Sequence, residues 1–265
     1  MTLRLLLPHD GSACARSATA VALQLAASLP DVHLTVLHVV NVRPASGNFL
    51  EDLSGRLGFE PAIVSDDVAG AKQGGGEEIL AAVEAQAKAA GVAVDTQLVT
   101  GVVSDTILEH SHDKDLVIMG IRGRTEDRFE GQGGEMSSWL PQRSAAPVLL
   151  VPADITAVTA FSLGWDGSPA ARHAIRPVRR IAAATGLPVH AIHVTPTGEG
   201  GEELMGELDS LLASVDVHKH VVEGARAHQT LVEAAKSHGA NVLAVGYLDA
   251  ASLRICSSAL PPSGS

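Results

Sequence analysis

The sequence predicts an α/β protein of two tandem units with parallel sheets, the second lacking its fifth strand. Three observations carry this reading. Short apolar runs alternate with segments of three- and four-residue apolar spacing, the pattern of strands joined by helical crossovers. The opening Leu6-Leu7-Pro8-His9-Asp10-Gly11-Ser12 returns as Leu163-Gly164-Trp165-Asp166-Gly167-Ser168, so the pattern is duplicated. The core is drawn from small aliphatic residues: hydrophobic residues make up 46% of the chain, while aromatics make up only 3%. That composition suits helices packed closely on a sheet buried on both faces.

The first unit is expected over 1–152. Leu3–Leu7 reads as a buried strand, and Ala18, Val21, Leu25 and Leu29 mark one face of the following helix. Leu34–Val40 is the second strand. A loop containing Gly47, Gly55, Gly58 and Gly74-Gly75-Gly76 follows, then a helix marked by Ile79, Val83 and Ala87. Val92–Val99, a helix over Asp105–His112, and the strand Leu116–Met119 come next. A glycine-rich loop and a short helix lead to the fifth strand in Pro147-Val148-Leu149-Leu150-Val151-Pro152.

The second unit, over 158–250, repeats the order at unequal spacing. Asp166 follows Asp10 by 156 residues and His193 follows His38 by 155, but Gly246 follows Gly120 by only 126. Strands are expected at Ala160–Gly164, Val189–Val194, Val217–Val222 and Val242–Gly246. Helices are expected over 169–185, Glu202–Ala213 and 227–238. No Pro-Val-Leu-Leu-Val equivalent follows Gly246, so 251–265 reads as an irregular tail. With no receiving strand in the second unit, the apolar edge Val148–Val151 would stand open. A C2 homodimer pairing that strand with its copy would cover it.

Several function classes are excluded by composition. A net charge of −11 argues against a nucleic-acid binder relying on a basic surface. No apolar run approaches the roughly 18 residues of a membrane span. The start is too short and too soon interrupted for a signal peptide, and Cys14 and Cys256 form no disulfide framework. The expectation is a cytoplasmic protein.

Two elements could carry chemistry. Asp10-Gly11-Ser12 lies at the carboxyl end of the first strand, where open α/β sheets present their ligand crevice. Ser12 and Ser168 are placed to cap helices, and no G-x-S-x-G elbow surrounds them, so neither is a candidate nucleophile. Asp10 suits either a structural turn or hydrogen bonding to sugar hydroxyls. The second element is Met119-Gly120-Ile121-Arg122-Gly123-Arg124, followed by Gly131, Gly133 and Gly134. Glycines there let backbone N–H groups approach phosphate oxygens, and a helix starting near Gly134 adds its dipole. Neither a Walker A loop nor a dinucleotide fingerprint is present.

With these residues the sequence resembles the universal stress protein family in its tandem-domain form, two flavodoxin-like or Rossmann-like units. Nucleotide-binding members carry Gly-x2-Gly, about nine residues, then Gly-Ser or Gly-Thr. Gly120-x2-Gly123 matches. The resemblance implies ATP or a related adenine nucleotide, with Mg²⁺ as a possible companion, bound in the first unit. By the resemblance Asp10 meets the ribose, the backbone of Val39 meets adenine, and Gly120 lies by the ribose; Met119 reads as core or crevice wall. Gly123 and either Gly133 or Gly134 would cradle phosphates. One alignment puts Gly134 at the hydroxyl position; the other puts Glu135 there, with Ser137 three residues past the glycine. The second unit keeps Asp166-Gly167-Ser168, but Gly246-Tyr247-Leu248-Asp249 has no second glycine, so no phosphate site is expected there.

No catalytic residue and no metal ligand is expected. His110-Ser111-His112, His190-x2-His193 and His218-Lys219-His220 could place rings together, but none has a third ligand at a recognisable spacing. A nucleotide-binding regulatory protein is therefore the leading expectation. A nucleotide-free dimeric scaffold is the alternative, and a slow ATPase comes third for want of a general base or metal site.

Overall fold

A computed structural model describes residues 2–41, 66–123, 135–247 and 250–255. Ten strands form one sheet in the order β3-β2-β1-β4-β5-β10-β9-β6-β7-β8. The first unit supplies β1 (Leu3–Pro8), α1 (Ala13–Ser28), β2 (Val32–Asn41), α2 (Asp66–Ala89) and β3 (Val94–Gly101). It continues with α3 (Val103–Ser111), β4 (Leu116–Gly120), the short α4 (Glu135–Trp139), a 3-10 turn over Leu140–Gln142, and β5 (Val148–Val151). The second unit supplies β6 (Phe161–Gly164), α5 (Pro169–Thr185), β7 (Val189–Thr195), α6 (Glu202–Leu211), β8 (Val217–Glu223), α7 (Ala227–Ser237) and β9 (Val242–Tyr247).

Within each unit neighbouring strands run parallel, with β1 between β2 and β4, and β6 between β7 and β9. Both β1 and β6 therefore sit where the direction of strand addition reverses, the switch point at which such sheets open a crevice. The apolar faces of α1 and α5 pack on one side of the sheet, so Ala18, Val21 and Leu25 share a core with Ala174, Val178 and Ile181. Ser12 caps α1 by accepting from the Ala15 N–H at 3.1 Å, and Ser168 caps α5 by accepting from the Ala171 N–H at 3.1 Å. Losing such a cap typically costs about 1 kcal/mol.

Two amide side chains pin the linker between the units. Gln24 Nε2 donates to the Val158 carbonyl at 2.9 Å, and its Oε1 accepts from the Val158 N–H at 2.7 Å. Asn241 does the same from the other side, donating to the Ala157 carbonyl at 2.7 Å and accepting from the Thr159 N–H at 2.9 Å.

Two expectations are corrected here. The first is the tail: Ala250–Ile255 form β10, antiparallel to β9 and parallel to β5. The sheet edge expected to stand open is thus filled by the chain itself, and Val148–Val151 are fully buried. The ground for expecting a homodimer through β5 is removed. What is left at the sheet margins is β3 and β8, whose alternating polar residues discourage edge-to-edge pairing. The second is Gly74-Gly75-Gly76, which lies inside α2 and not in a loop. A β-carbon at Gly76 would stand 2.7 Å from Leu98 Cδ1 and 2.8 Å from His38 Cδ2, so this glycine lets the helix cross closely over β2 and β3. Gly47, Gly55 and Gly58 lie outside the described residues.

Candidate functional site

Asp10 sits two residues beyond β1, on a turn that only the glycine beside it makes easy: Gly11 has φ of 82°, in the left-handed region. Asp10 Oδ1 accepts from the Ser12 N–H at 3.0 Å, and Arg16 closes the turn by donating to the Gly11 carbonyl at 2.8 Å. The crevice wall opposite is the end of β4. Ser12 Oγ donates across to the Arg122 carbonyl at 3.3 Å, so the two loops are tied. At Gly123 a β-carbon would meet Asp10 Oδ2 at 3.0 Å and no other atom within 4 Å among the described residues. The expected pairing of Asp10 with the Gly-x2-Gly loop is therefore present in the geometry.

Gly120 has a separate reason to be glycine. A β-carbon there would stand 2.8 Å from Cys14 Cβ and 2.9 Å from the Ala15 nitrogen, inside the first turn of α1. The missing side chain lets helix and strand approach, whatever the crevice holds. Met119 is buried on the opposite face of β4, among Leu6, Val117 and Leu150. Val39 is half-buried near the carboxyl end of β2, paired in register with Val99. Gly133 and Gly134 lie outside the described residues. Glu135 opens α4, and Ser137 within that helix is buried.

Histidines frame the turn. His9 is buried, and its Nδ1 accepts from the Gly11 N–H at 3.1 Å, which requires an unprotonated nitrogen. Burial, and to a lesser degree neighbouring positive charge, lower its pKa to about 4 against the pull of Asp10. His38 Nδ1 donates to the His9 carbonyl at 2.7 Å, holding β2 against the turn.

The second unit rebuilds this frame and then fills it. Asp166 Oδ1 accepts from the Ser168 N–H at 2.9 Å, Arg172 donates to the Gly167 carbonyl at 3.2 Å, and His193 Nδ1 donates to the Trp165 carbonyl at 2.8 Å. Burial works to raise the pKa of Asp166, but the hydrogen bonds from Ser168 outweigh it and hold the carboxyl below its usual value. Trp165 replaces His9, and its indole N–H donates to the Leu204 carbonyl at 2.9 Å. Leu204 Cδ1 would lie only 2.5 Å from a β-carbon at Gly167, and Arg172 pairs with Glu207 at 2.6 Å. Helix α6 is thus clamped onto the second Asp-Gly-Ser turn. Apolar packing of Leu204 on this turn is a feature that the sequence pattern did not disclose.

Residues 1–152 match the family model of the Universal stress protein family. The chain belongs to the universal stress protein family. A universal stress protein of Synechocystis sp. is 24% identical over 204 residues, spanning 74% of this chain and 71% of the relative. A crystal structure of a universal stress protein from Archaeoglobus fulgidus covers 90% of this chain and 84% of its own, with 20% identity and a TM-score of 0.64. A functionally unknown protein from Pseudomonas aeruginosa covers 95% and 92%, with 15% identity and a TM-score of 0.54. Both structures extend over the two units, so the tandem arrangement of this universal stress protein is shared at the level of fold.

The histidine pairs divide. His110 Nδ1 bonds within its own helix to the Thr106 carbonyl, and His193 belongs to the Trp165 turn. His190 and His220, however, are joined by His238 from the end of α7, a third imidazole that sequence spacing did not disclose. No helix among the described residues is long and apolar enough to cross a membrane.

Proposed function

We propose that this universal stress protein is a cytoplasmic regulatory protein that holds ATP or a related adenine nucleotide in its first unit, at the crevice between β1 and β4. The observation that carries the reading is the juxtaposition of Asp10 and Gly123 at the switch point of the first sheet. A carboxylate oriented by the Ser12 N–H can accept from ribose hydroxyls, and a glycine facing it leaves room for the ligand's backbone contacts. Val39 would contribute backbone contacts to the base, with Gly133 or Gly134 and Ser137 on the phosphate side. When bound, ATP with or without Mg²⁺ would supply a state to be sensed. A regulatory role is favoured over a catalytic one because the titratable neighbour His9 is buried and has its acceptor nitrogen occupied.

A nucleotide-free interaction protein is the second reading, and Gly120 favours it. That glycine of the motif is already required by the packing of α1, so its presence is no mark of a ligand. The two readings separate on one experiment. Protein purified without added nucleotide is denatured, and the released small molecules are resolved by chromatography. Adenine nucleotide near one equivalent per chain, lost in Asp10→Ala and kept in Asp166→Ala, supports the first reading. Empty protein that also fails to bind added ATP supports the second.

A further inference from the structure

Four of the chain's histidines meet at the end of the second unit opposite the Asp166 turn. His218 and His220 flank Lys219 on β8, so their side chains share one face of the sheet. The β7–β8 register sets His190 beside His218 and Ile192 beside His220, which brings His190 to the same face. The carboxyl end of α7 then delivers His238. Ring centroids are 3.7 Å apart for His220 and His238, 5.4 Å for His190 and either of them, and 5.0 Å for His190 and His218.

The nitrogen spacing is that of a coordination site. His190 Nδ1 and His220 Nε2 are 3.1 Å apart, and one nitrogen of each of His190, His220 and His238 lies within 4.8 Å of the others. A tetrahedral zinc ion with ligands at about 2.0–2.1 Å requires nitrogens about 3.3 Å apart. The first pair already meets this, and the third nitrogen must close by no more than about 1.5 Å, through rotation of rings that are stacked and only half-buried. The electrostatics agree. The last carbonyls of α7 add partial negative charge beside a bound cation.

We propose that His190, His220 and His238 bind a divalent transition-metal ion of the zinc class, leaving a fourth position for water. Three imidazoles and no carboxylate in the ligand group select zinc, copper or nickel over magnesium or calcium, which require oxygen donors. His218 stacks on His190 and pairs with Asp216 at 3.4 Å, steadying the rim of the site. The site stands apart from the crevice at Asp10 and does not depend on nucleotide.

The test is equilibrium dialysis of metal-stripped protein, carrying no polyhistidine tag, against micromolar Zn²⁺. Wild type should retain one ion per chain more than His190→Ala/His220→Ala, whose affinity at this site should fall by more than about a hundredfold, beyond the range for loss of an outer-shell partner. A His33→Ala/His112→Ala control, which removes two exposed histidines elsewhere, should match wild type. Equal retention by all three proteins overturns the proposal. Should the double variant fail to fold, Co²⁺ titration of wild type decides: intense tetrahedral visible bands saturating at one equivalent support the site, and only weak octahedral bands overturn it.

Discussion

A β-carbon at Gly123 would stand 3.0 Å from Asp10 Oδ2, so the loop after β4 lies close enough to the turn after β1 for any side chain there to press on the carboxylate. Gly123→Val should therefore both crowd the carboxylate and obstruct the crevice. ATP affinity should fall at least tenfold, about 1.4 kcal/mol, with the circular dichroism spectrum unchanged. Equal affinity in a folded variant would place the nucleotide elsewhere.

Gly120 should behave differently. Its β-carbon would press on the backbone of α1 at Cys14 and Ala15, which cannot yield as a flexible side chain can. Gly120→Ala should lower stability by about 1–3 kcal/mol, the usual range for overpacking. Denaturant midpoints with and without nucleotide would check this, since the loss should appear in both.

His9 links the turn to pH. Its folded pKa is lowered to about 4 from 6.5, so between these values the unfolded chain binds a proton that the folded chain refuses. Stability should rise from pH 4 to 6.5, with the full contribution, about 3 kcal/mol, present above that window. His9→Asn keeps an acceptor for the Gly11 N–H but cannot titrate. Urea unfolding at pH 4.5 and 7.0 should show a smaller difference for this variant than for wild type; an equal difference would mean that His9 is not the group responsible.

β10 makes an assembly prediction. Because Ala250–Ile255 fill the gap between β5 and β9, the full chain should scatter light as a 27.3 kDa monomer. Removing 248–265 would expose both edges, and the truncated chain should dimerise or aggregate. A full-length dimer unaffected by Leu149→Lys would show that another surface assembles it.

The order of strands and helices was legible because the duplicated Asp-Gly-Ser turn and the His38–His193 pair recur at nearly one offset. The cap roles of Ser12 and Ser168 were legible from local chemistry. What escaped was set by contacts distant in sequence. β10 lacks the unbroken apolar run of β5, and its place in the sheet, antiparallel to β9 and parallel to β5, depends on two neighbours more than 90 residues apart from each other. Gly74-Gly75-Gly76 reads as a turn until Gly76 is seen against His38 and Leu98. His238 lies at the end of a helical pattern of its own, 48 residues from His190 along the chain, and only the packing of α7 on β7 and β8 brings the two together. Trp165 and Leu204 likewise fill the second turn through a hydrogen bond that no local motif encodes.

The most direct measurement is calorimetric titration of ATP into wild type, Asp10→Ala and Asp166→Ala. Wild type and Asp166→Ala should each bind one ATP with equal affinity, while Asp10→Ala should bind at least tenfold more weakly, about 1.4 kcal/mol. Equal binding by all three, or loss on changing Asp166 alone, would contradict a nucleotide site between Asp10 and Gly123.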